Sequence, residues 1–207
     1  MGAEAFIREH TTARTTEFVP EVVLRVAEDV TPLWELTGAP EPPFWAFPWA
    51  GGQGVARYVL DHPEVVASRQ VFDLACGSGL VAIAAALAGA SAVTACDVDE
   101  TALVAARLNA EANDVSLTPL VADVLETTVD ADVVLAGDVF YDKDMAAAML
   151  PFLRRCAAAG ALVLVGDPSR PYLPKDRFDL VASYEVPVPR SLEGVAVLPT
   201  SVWRPRV

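Results

Sequence analysis

From residue 71 onward, short apolar runs alternate with helical segments, and this alternation constrains the fold more than any other feature of the sequence. The apolar runs are residues 71–75, 92–96, 117–121, 132–136 and 161–165. Helical segments are predicted at residues 80–87, 101–109 and 145–158. Strands that alternate with helices pair in parallel, so the sequence predicts an α/β fold with a Rossmann-like sheet and helices on both faces.

The last two strand-like segments, residues 178–186 and 195–203, break this alternation. Only residues 187–194 separate them, which is too short for a crossover helix, so the two strands are predicted to pair antiparallel. Five parallel-type strands and a C-terminal antiparallel hairpin make a seven-stranded sheet. A dinucleotide-binding dehydrogenase domain would return with a sixth parallel strand instead.

The N-terminal residues follow a different pattern. Residues 1–65 are predicted to form a helical and aromatic collar on a seven-strand core of residues 66–207, within one domain of 207 residues. Residues 21–36 have apolar positions on one helical face, which predicts a helix there. Residues 40–49 are rich in proline and aromatic residues, and Gly51-Gly52-Gln53-Gly54 opens a second predicted helix that ends near Leu60.

The densest chemical signal follows the first strand, where the sequence is Asp73-Leu74-Ala75-Cys76-Gly77-Ser78-Gly79. Glycines at this point let a ligand approach the backbone at the carboxyl edge of the sheet. Gly77 and Gly79 also satisfy the dinucleotide fingerprint, so NAD fits the loop as well. Asp73 lies within the strand and needs a partner, which predicts that it orders the loop or reaches a ligand ammonium group.

Two further acids follow the next strands. Asp97 ends the second strand, where a carboxylate can accept hydrogen bonds from both hydroxyls of a ribose. Asp123 follows the third strand and is able to accept a hydrogen bond from an adenine amine. A helix cap or a solvated turn is the alternative for both acids.

The glycine loop, these acids and the antiparallel tail together resemble the seven-strand S-adenosylmethionine-dependent methyltransferases. The resemblance implies that S-adenosylmethionine is the cofactor and that its methionyl part lies against the loop of Gly77, Ser78 and Gly79. It also implies that Asp97 holds the ribose, Asp123 the adenine amine, and Val98 one face of the adenine.

The segment Gly137-Asp138-Val139-Phe140-Tyr141-Asp142 after the fourth strand resembles that of the protein lysine methyltransferases in this class. Together with residues 44–53 and 166–171, it resembles the electron transfer flavoprotein beta-subunit lysine methyltransferases and their bacterial relatives. The resemblance implies that Asp138 accepts the protons of a lysine amine, that Tyr141 forms a wall beside it, and that Trp49 and, secondarily, Gln53 lie near the cofactor. It also implies that residues 167–171 border the substrate mouth.

Charge and composition exclude several other classes. With 15 Lys and Arg against 28 Asp and Glu, the formal net charge of −13 argues against a surface that neutralises phosphates, so no nucleic-acid partner is expected. The longest apolar run, residues 80–90, is about half of the roughly 20 residues that a membrane span needs. Three unpaired cysteines and two isolated histidines indicate no metal site and a cytoplasmic location, or the mitochondrial matrix in a eukaryote.

The sequence therefore predicts an S-adenosylmethionine-dependent protein-lysine N-methyltransferase, with the beta subunit of electron transfer flavoprotein as its substrate. The alternative keeps the fold and the cofactor but places the methyl group on another protein, such as a ribosomal protein, or on a small amine. An NAD(P)-dependent oxidoreductase is disfavoured by the terminal hairpin and the lack of a Tyr-x-x-x-Lys pair. A non-catalytic binding module is disfavoured by the complete set of acids.

Overall fold

The computed structural model describes residues 2–207 and contains a seven-stranded sheet preceded by a small N-terminal hairpin. The elements, in chain order, are α1 (Ala3–His10), β1 (Thr12–Thr15), β2 (Val23–Val26), α2 (Val30–Thr37), α3 (Ala50–Asp61), β3 (Gln70–Leu74), α4 (Leu80–Leu87), β4 (Ala92–Asp97), α5 (Glu100–Ala112), β5 (Thr118–Val121), β6 (Val133–Gly137), α6 (Lys143–Ala158), β7 (Leu162–Asp167), β8 (Phe178–Pro187), α7 (Arg190–Glu193) and β9 (Val197–Pro205).

The large sheet has the strand order β5-β4-β3-β6-β7-β9-β8. Strands β3 to β7 pair in parallel, and β9 runs antiparallel to both β7 and β8. Helices α3, α4 and α5 pack on one face of the sheet, and α6 packs on the other. The predicted fold class, with its five parallel strands and terminal antiparallel hairpin, is therefore confirmed.

The predicted single helix over residues 21–36 is wrong. Residues Val23–Val26 form a strand that pairs with Thr12–Thr15, and the helix begins only at Val30, where Asp29 caps it by accepting a hydrogen bond from the Thr31 N–H. β-Branched valines favour an extended backbone. A tertiary contact stabilises the strand here in place of the predicted helix. The partner in that contact is the C-terminal end of α5, since the side chain of its C-cap residue Asn113 accepts a hydrogen bond from the Val23 N–H at 2.8 Å.

A second asparagine of α5 ties the same strand to the glycine loop. The buried Asn109 side chain accepts a hydrogen bond from the Arg25 N–H and donates one to the Ser78 carbonyl, both at 2.8 Å. A backbone N–H group that is buried without a partner lowers stability. The two asparagines supply partners for the Val23 and Arg25 N–H groups of β2. Asn109 therefore joins the N-terminal hairpin to the loop that follows β3.

Helix α3 meets the sheet through glycine backbone. A Cβ atom on Gly51 would overlap the Gly166 carbonyl oxygen of β7, and one on Gly137 of β6 would lie 2.6 Å from the Gly52 Cα. The first turn of α3 thus lies directly on the carboxyl ends of β6 and β7, with no side chain between them. This contact brings the residues before and within α3 to the edge of the sheet where β3, β4 and β6 end.

We expect Gly51→Ala to lower the free energy of unfolding by about 1–3 kcal/mol, because the new methyl group has no space between α3 and β7. Gly52→Ala is the matched control in the same helical turn. A Cβ there would meet only Val81 Cγ2, at 3.8 Å, so this variant should be neutral or more stable by up to about 1 kcal/mol. Urea unfolding of both variants checks this, and equal losses would contradict the proposed backbone contact.

Candidate active site

A large cavity opens at the carboxyl ends of β3, β4 and β6, with a volume of about 910 Å³. That is near the upper end of the usual range for small-molecule sites. Eight of the residues singled out from the sequence line it, namely Trp49, Asp73, Gly77, Ser78, Asp97, Val98, Asp138 and Tyr141. The structure therefore brings most of the predicted cofactor and acceptor residues to one place.

The glycine loop and Asp97 are bound to each other. Gly77 has φ of +50° and donates its N–H to Asp97 Oδ2 at 2.9 Å, and the Asp99 N–H donates to Oδ1 at 3.1 Å. Burial raises the pKa of Asp97, and these backbone donors oppose that rise. Gly79, with φ of +78°, faces away from the cavity, since a Cβ there would lie 2.9 Å from the Ala106 Cβ of α5.

Asp73 is almost fully buried in the floor of the cavity. Its Oδ2 atom accepts a hydrogen bond from the Ala82 N–H in the first turn of α4, at 2.9 Å. Burial raises the pKa of Asp73 to about 8, and the Asp97 carboxylate contributes to the rise. Asp73 therefore binds the helix after the loop rather than the loop itself, and it lines the cavity, while its role toward a ligand ammonium group stays a prediction.

Aromatic rings form one wall of the cavity. Trp49 donates its Nε1–H to the Phe44 carbonyl at 2.8 Å, and its ring centroid lies 5.8 Å from that of Phe44 and 6.1 Å from that of Phe47. The Tyr141 ring lies 5.3 Å from Phe44 on the other side. Gln53, by contrast, does not line this cavity and donates its side-chain N–H to the Pro48 carbonyl.

Asp138 lies at the end of β6 with an unusual backbone and two strong partners. Its φ is +58°, a conformation that non-glycine residues rarely adopt. Oδ2 accepts a hydrogen bond from the Gly51 N–H at 2.5 Å, and Oδ1 contacts Arg170 Nε at 2.6 Å. Burial raises the pKa of Asp138, while the adjacent guanidinium of Arg170 opposes that rise.

Asp123, like Gly79, is a predicted site residue that does not line the cavity. It is exposed and accepts a hydrogen bond from the Leu125 N–H at 3.0 Å. A bond to a backbone N–H two residues further on is typical of a solvated turn, which is the alternative interpretation of Asp123. Its role toward an adenine amine stays a prediction. Val98, also proposed to contact adenine, lies at the rim and is 70% exposed.

Sequence reasoning placed residues 167–171 beside the substrate mouth but assigned no role to Arg170. The structure places Arg170 in the cavity wall, bound to Asp138 and to Glu193 of α7. A buried carboxylate needs a cation or hydrogen-bond donors, so an arginine just after the neighbouring strand was a usable signal. Nothing in the sequence indicated Glu193 or the Gly51 N–H, because both reach the site from distant parts of the chain.

Among residues 2–207, no three His, Cys, Asp or Glu side chains cluster in a way that could hold a metal ion. No helix within this range is both long and apolar enough to cross a membrane.

Comparisons with known proteins agree with this geometry. Residues 58–139 match the family of the ribosomal protein L11 methyltransferase, PrmA. The structure of magnesium protoporphyrin IX methyltransferase from Synechocystis PCC 6803, solved with bound SAM, superposes with a TM-score of 0.55 at 16% identity over 75% of this chain and 78% of that one. The fold is therefore that of the class I methyltransferases.

Two curated relatives define the family more closely. The electron transfer flavoprotein beta subunit lysine methyltransferase of Danio rerio is 38% identical over 89% of this chain and 76% of its own length. The protein of the same name from Rattus norvegicus is 34% identical over 97% of this chain and 83% of its own length. The chain belongs to the electron transfer flavoprotein beta subunit lysine methyltransferase family, which confirms the resemblance found in the sequence.

The buried Asp73 predicts a specific pH dependence of stability. Its pKa rises from an ordinary value of 3.8 to about 8 on folding, so the native state keeps a proton that the unfolded chain has released. The contribution of Asp73 to the free energy of unfolding of the cofactor-free protein should therefore be lost as the pH rises from about 4 to about 8. Asn resembles the neutral acid, so Asp73→Asn should gain stability relative to wild type across that interval.

Urea unfolding at several pH values checks this prediction. The exposed Asp123→Asn variant is the control, since it removes one negative charge outside the cavity. A constant difference between Asp73→Asn and wild type from pH 4 to 8 would show that Asp73 is not held protonated.

Proposed function

We propose that this protein is an S-adenosylmethionine-dependent protein-lysine N-methyltransferase that acts on the beta subunit of electron transfer flavoprotein. The observation that carries the proposal is the presence of the Asp138 carboxylate in the same cavity as Asp97 and the glycine loop. Groups suited to a nucleoside cofactor and a group suited to an amine thus line one cavity. We propose the cytoplasm as the location of this activity.

The residues of the cavity fit S-adenosylmethionine by their chemistry. The Asp97 carboxylate can accept hydrogen bonds from a ribose, and Asp73, whose pKa burial raises, gains stability as an anion from a nearby ammonium group. The Trp49 and Phe44 rings offer faces that attract a cation. When bound, the cofactor would supply a methyl group on a positively charged sulfur.

The chain's own residues would then align the acceptor. A lysine amine would react as the neutral nucleophile, its new N–C bond forming as the C–S bond of the sulfonium breaks and S-adenosylhomocysteine departs. The methylated ammonium would then release one proton to solvent. The Asp138 carboxylate accepts a hydrogen bond from that amine and directs its lone pair. Tyr141 and Phe44, with ring centroids 5.3 Å apart, give an apolar wall suited to the aliphatic stem of lysine.

The choice of substrate rests on the family. The relatives from Danio rerio and Rattus norvegicus are named for lysine methylation of the electron transfer flavoprotein beta subunit, and they align over most of the chain. The net charge of −13 also suits a lysine-bearing protein surface, which an acidic protein attracts at low salt.

Ribosomal protein is the second candidate substrate, because residues 58–139 match the ribosomal protein L11 methyltransferase family. This region contains the glycine loop and Asp97, but it ends at residue 139 and excludes Tyr141, Arg170 and Glu193. It therefore covers mainly the cofactor-binding part of the chain, and we rank this substrate below the flavoprotein.

Incubation with labelled S-adenosylmethionine and the electron transfer flavoprotein encoded in the same genome tests the proposal. We expect label on lysines of the beta subunit, located by peptide mass mapping. Ribosomal protein L11 in a parallel reaction is the comparison. Label on that protein alone, or on neither, would overturn the proposed substrate.

Two variants separate binding from transfer. Asp97→Ala should raise the dissociation constant of S-adenosylhomocysteine roughly 10- to 100-fold, because it removes a charged hydrogen-bond acceptor. Asp138→Asn should leave that constant within about twofold of wild type and lower kcat by about 100-fold or more, because the amine loses its acceptor. Calorimetry and methyl-transfer kinetics measure the two effects, and a fully active Asp138→Asn enzyme would contradict the role of Asp138.

A further inference from the structure

Arg170 binds two carboxylates at the edge of the active-site cavity. Its Nε atom lies 2.6 Å from Asp138 Oδ1, and its two terminal nitrogens lie 2.8 and 3.1 Å from the Glu193 oxygens. Arginine pairs with a carboxylate most strongly when two parallel bonds form, as they do with Glu193. The guanidinium is therefore anchored on Glu193 and presents its Nε–H to Asp138.

The turn after β7 holds Arg170 in this position. The buried Asp167 side chain accepts a hydrogen bond from the Arg170 N–H at 2.7 Å, and Ser169 adopts a φ of +67°. Pro168 and Pro171 flank the turn and restrict its backbone. These features fix the direction in which the Arg170 side chain leaves the chain.

Each oxygen of Asp138 thus has one fixed donor. Arg170 binds Oδ1, the Gly51 N–H binds Oδ2, and the residue also lines the cavity. A carboxylate oxygen can accept more than one hydrogen bond, so both keep capacity for a donor that enters from the cavity. The two donors determine the orientation of the plane of the carboxylate.

We propose that Arg170 is a positioning residue for methyl transfer: it holds the Asp138 carboxylate in the orientation that receives the acceptor amine, and Glu193 holds Arg170 there. This inference rests on the proposed function, in which Asp138 meets a lysine amine. Arg170 acts through Asp138 and does not itself take part in the reaction.

The charges around Asp138 show why a single arginine has this effect. Arg170 and Glu193 change the pKa of Asp138. The Asp138 carboxylate in turn raises the pKa of Asp167 and Tyr141. Arg170 is the cation among them. Without it, burial would favour the protonated form of Asp138, which has fewer free lone pairs to offer an amine.

The competing explanation is that Arg170 only stabilises the fold. Four variants distinguish that role from the positioning of Asp138. Arg170→Gln removes the charge, Arg170→Lys keeps the charge without the paired geometry, and Glu193→Gln removes the anchor. Arg206→Gln is the control, because Arg206 forms a similar 2.7 Å ion pair with Asp179, exposed and remote from the cavity. Thermal unfolding and S-adenosylhomocysteine binding establish that each variant is folded.

For Arg170→Gln we expect kcat to fall on the order of 10- to 100-fold, with KM for the protein substrate within about threefold of wild type. Arg170→Lys should recover part of kcat. Glu193→Gln should lower kcat by a smaller factor, and Arg206→Gln should match wild type.

The titration of Asp138 gives a readout that is independent of activity. Its carboxyl signal, followed by carbon-13 NMR and assigned by its loss in Asp138→Asn, should titrate about 1–3 pH units higher in Arg170→Gln. The midpoint should stay at its wild-type value in Arg206→Gln, because that arginine is exposed and remote from the cavity. A merely structural role would not shift the Asp138 midpoint in a folded Arg170→Gln variant.

Unchanged kcat and an unchanged midpoint in a folded Arg170→Gln variant would overturn the inference. That outcome is distinct from failure of the proposed function, in which the wild-type protein itself transfers no methyl group to lysine. The Asp138 titration can be measured in either case.

Discussion

The direct contact between the backbone of α3 and the ends of β6 and β7 is the constraint on which the active site depends. Gly51, Gly137 and Gly166 leave no room for side chains, so the helix lies against the strands themselves. Only at this separation can the Gly51 N–H reach Asp138. The same contact places Trp49, the residue just before α3, in the wall of the cavity. One close approach therefore orders both the acceptor carboxylate and the aromatic wall.

The cavity combines this rigid frame with an excess of buried acid. Burial raises the pKa of Asp73, Asp97 and Asp138, so each of them gains stability as an anion when a cation or a hydrogen-bond donor approaches. Of these three acids, Asp138 is the one that Arg170 stabilises as an anion. The ammonium group of the proposed cofactor would do the same for Asp73. These buried acids thus cost some stability in the free protein, which is common at functional sites.

The sequence predicted the sheet well and the N-terminal residues poorly. The strands from β3 to β9 lie within about two residues of the predicted runs, because each is a short strand-like run bounded by a helix or a turn. The valines of β2 also fit a helical face, so the sequence predicts a helix where the structure has a strand. Its extended form depends on Asn109 and Asn113, which lie more than 80 residues away and leave no local signal.

By itself, the sequence determined the class of the sheet, the position of the glycine loop and the family, because each is encoded in neighbouring residues. Only the tertiary structure decided which acids work together. It placed Asp73, Asp97 and Asp138 in one cavity and left Asp123 in an exposed turn. It also brought Gly51, Arg170 and Glu193 to Asp138 from three separate segments. Hydrogen bonds and ion pairs act over about 3 Å in space, and no spacing along the chain records such a distance.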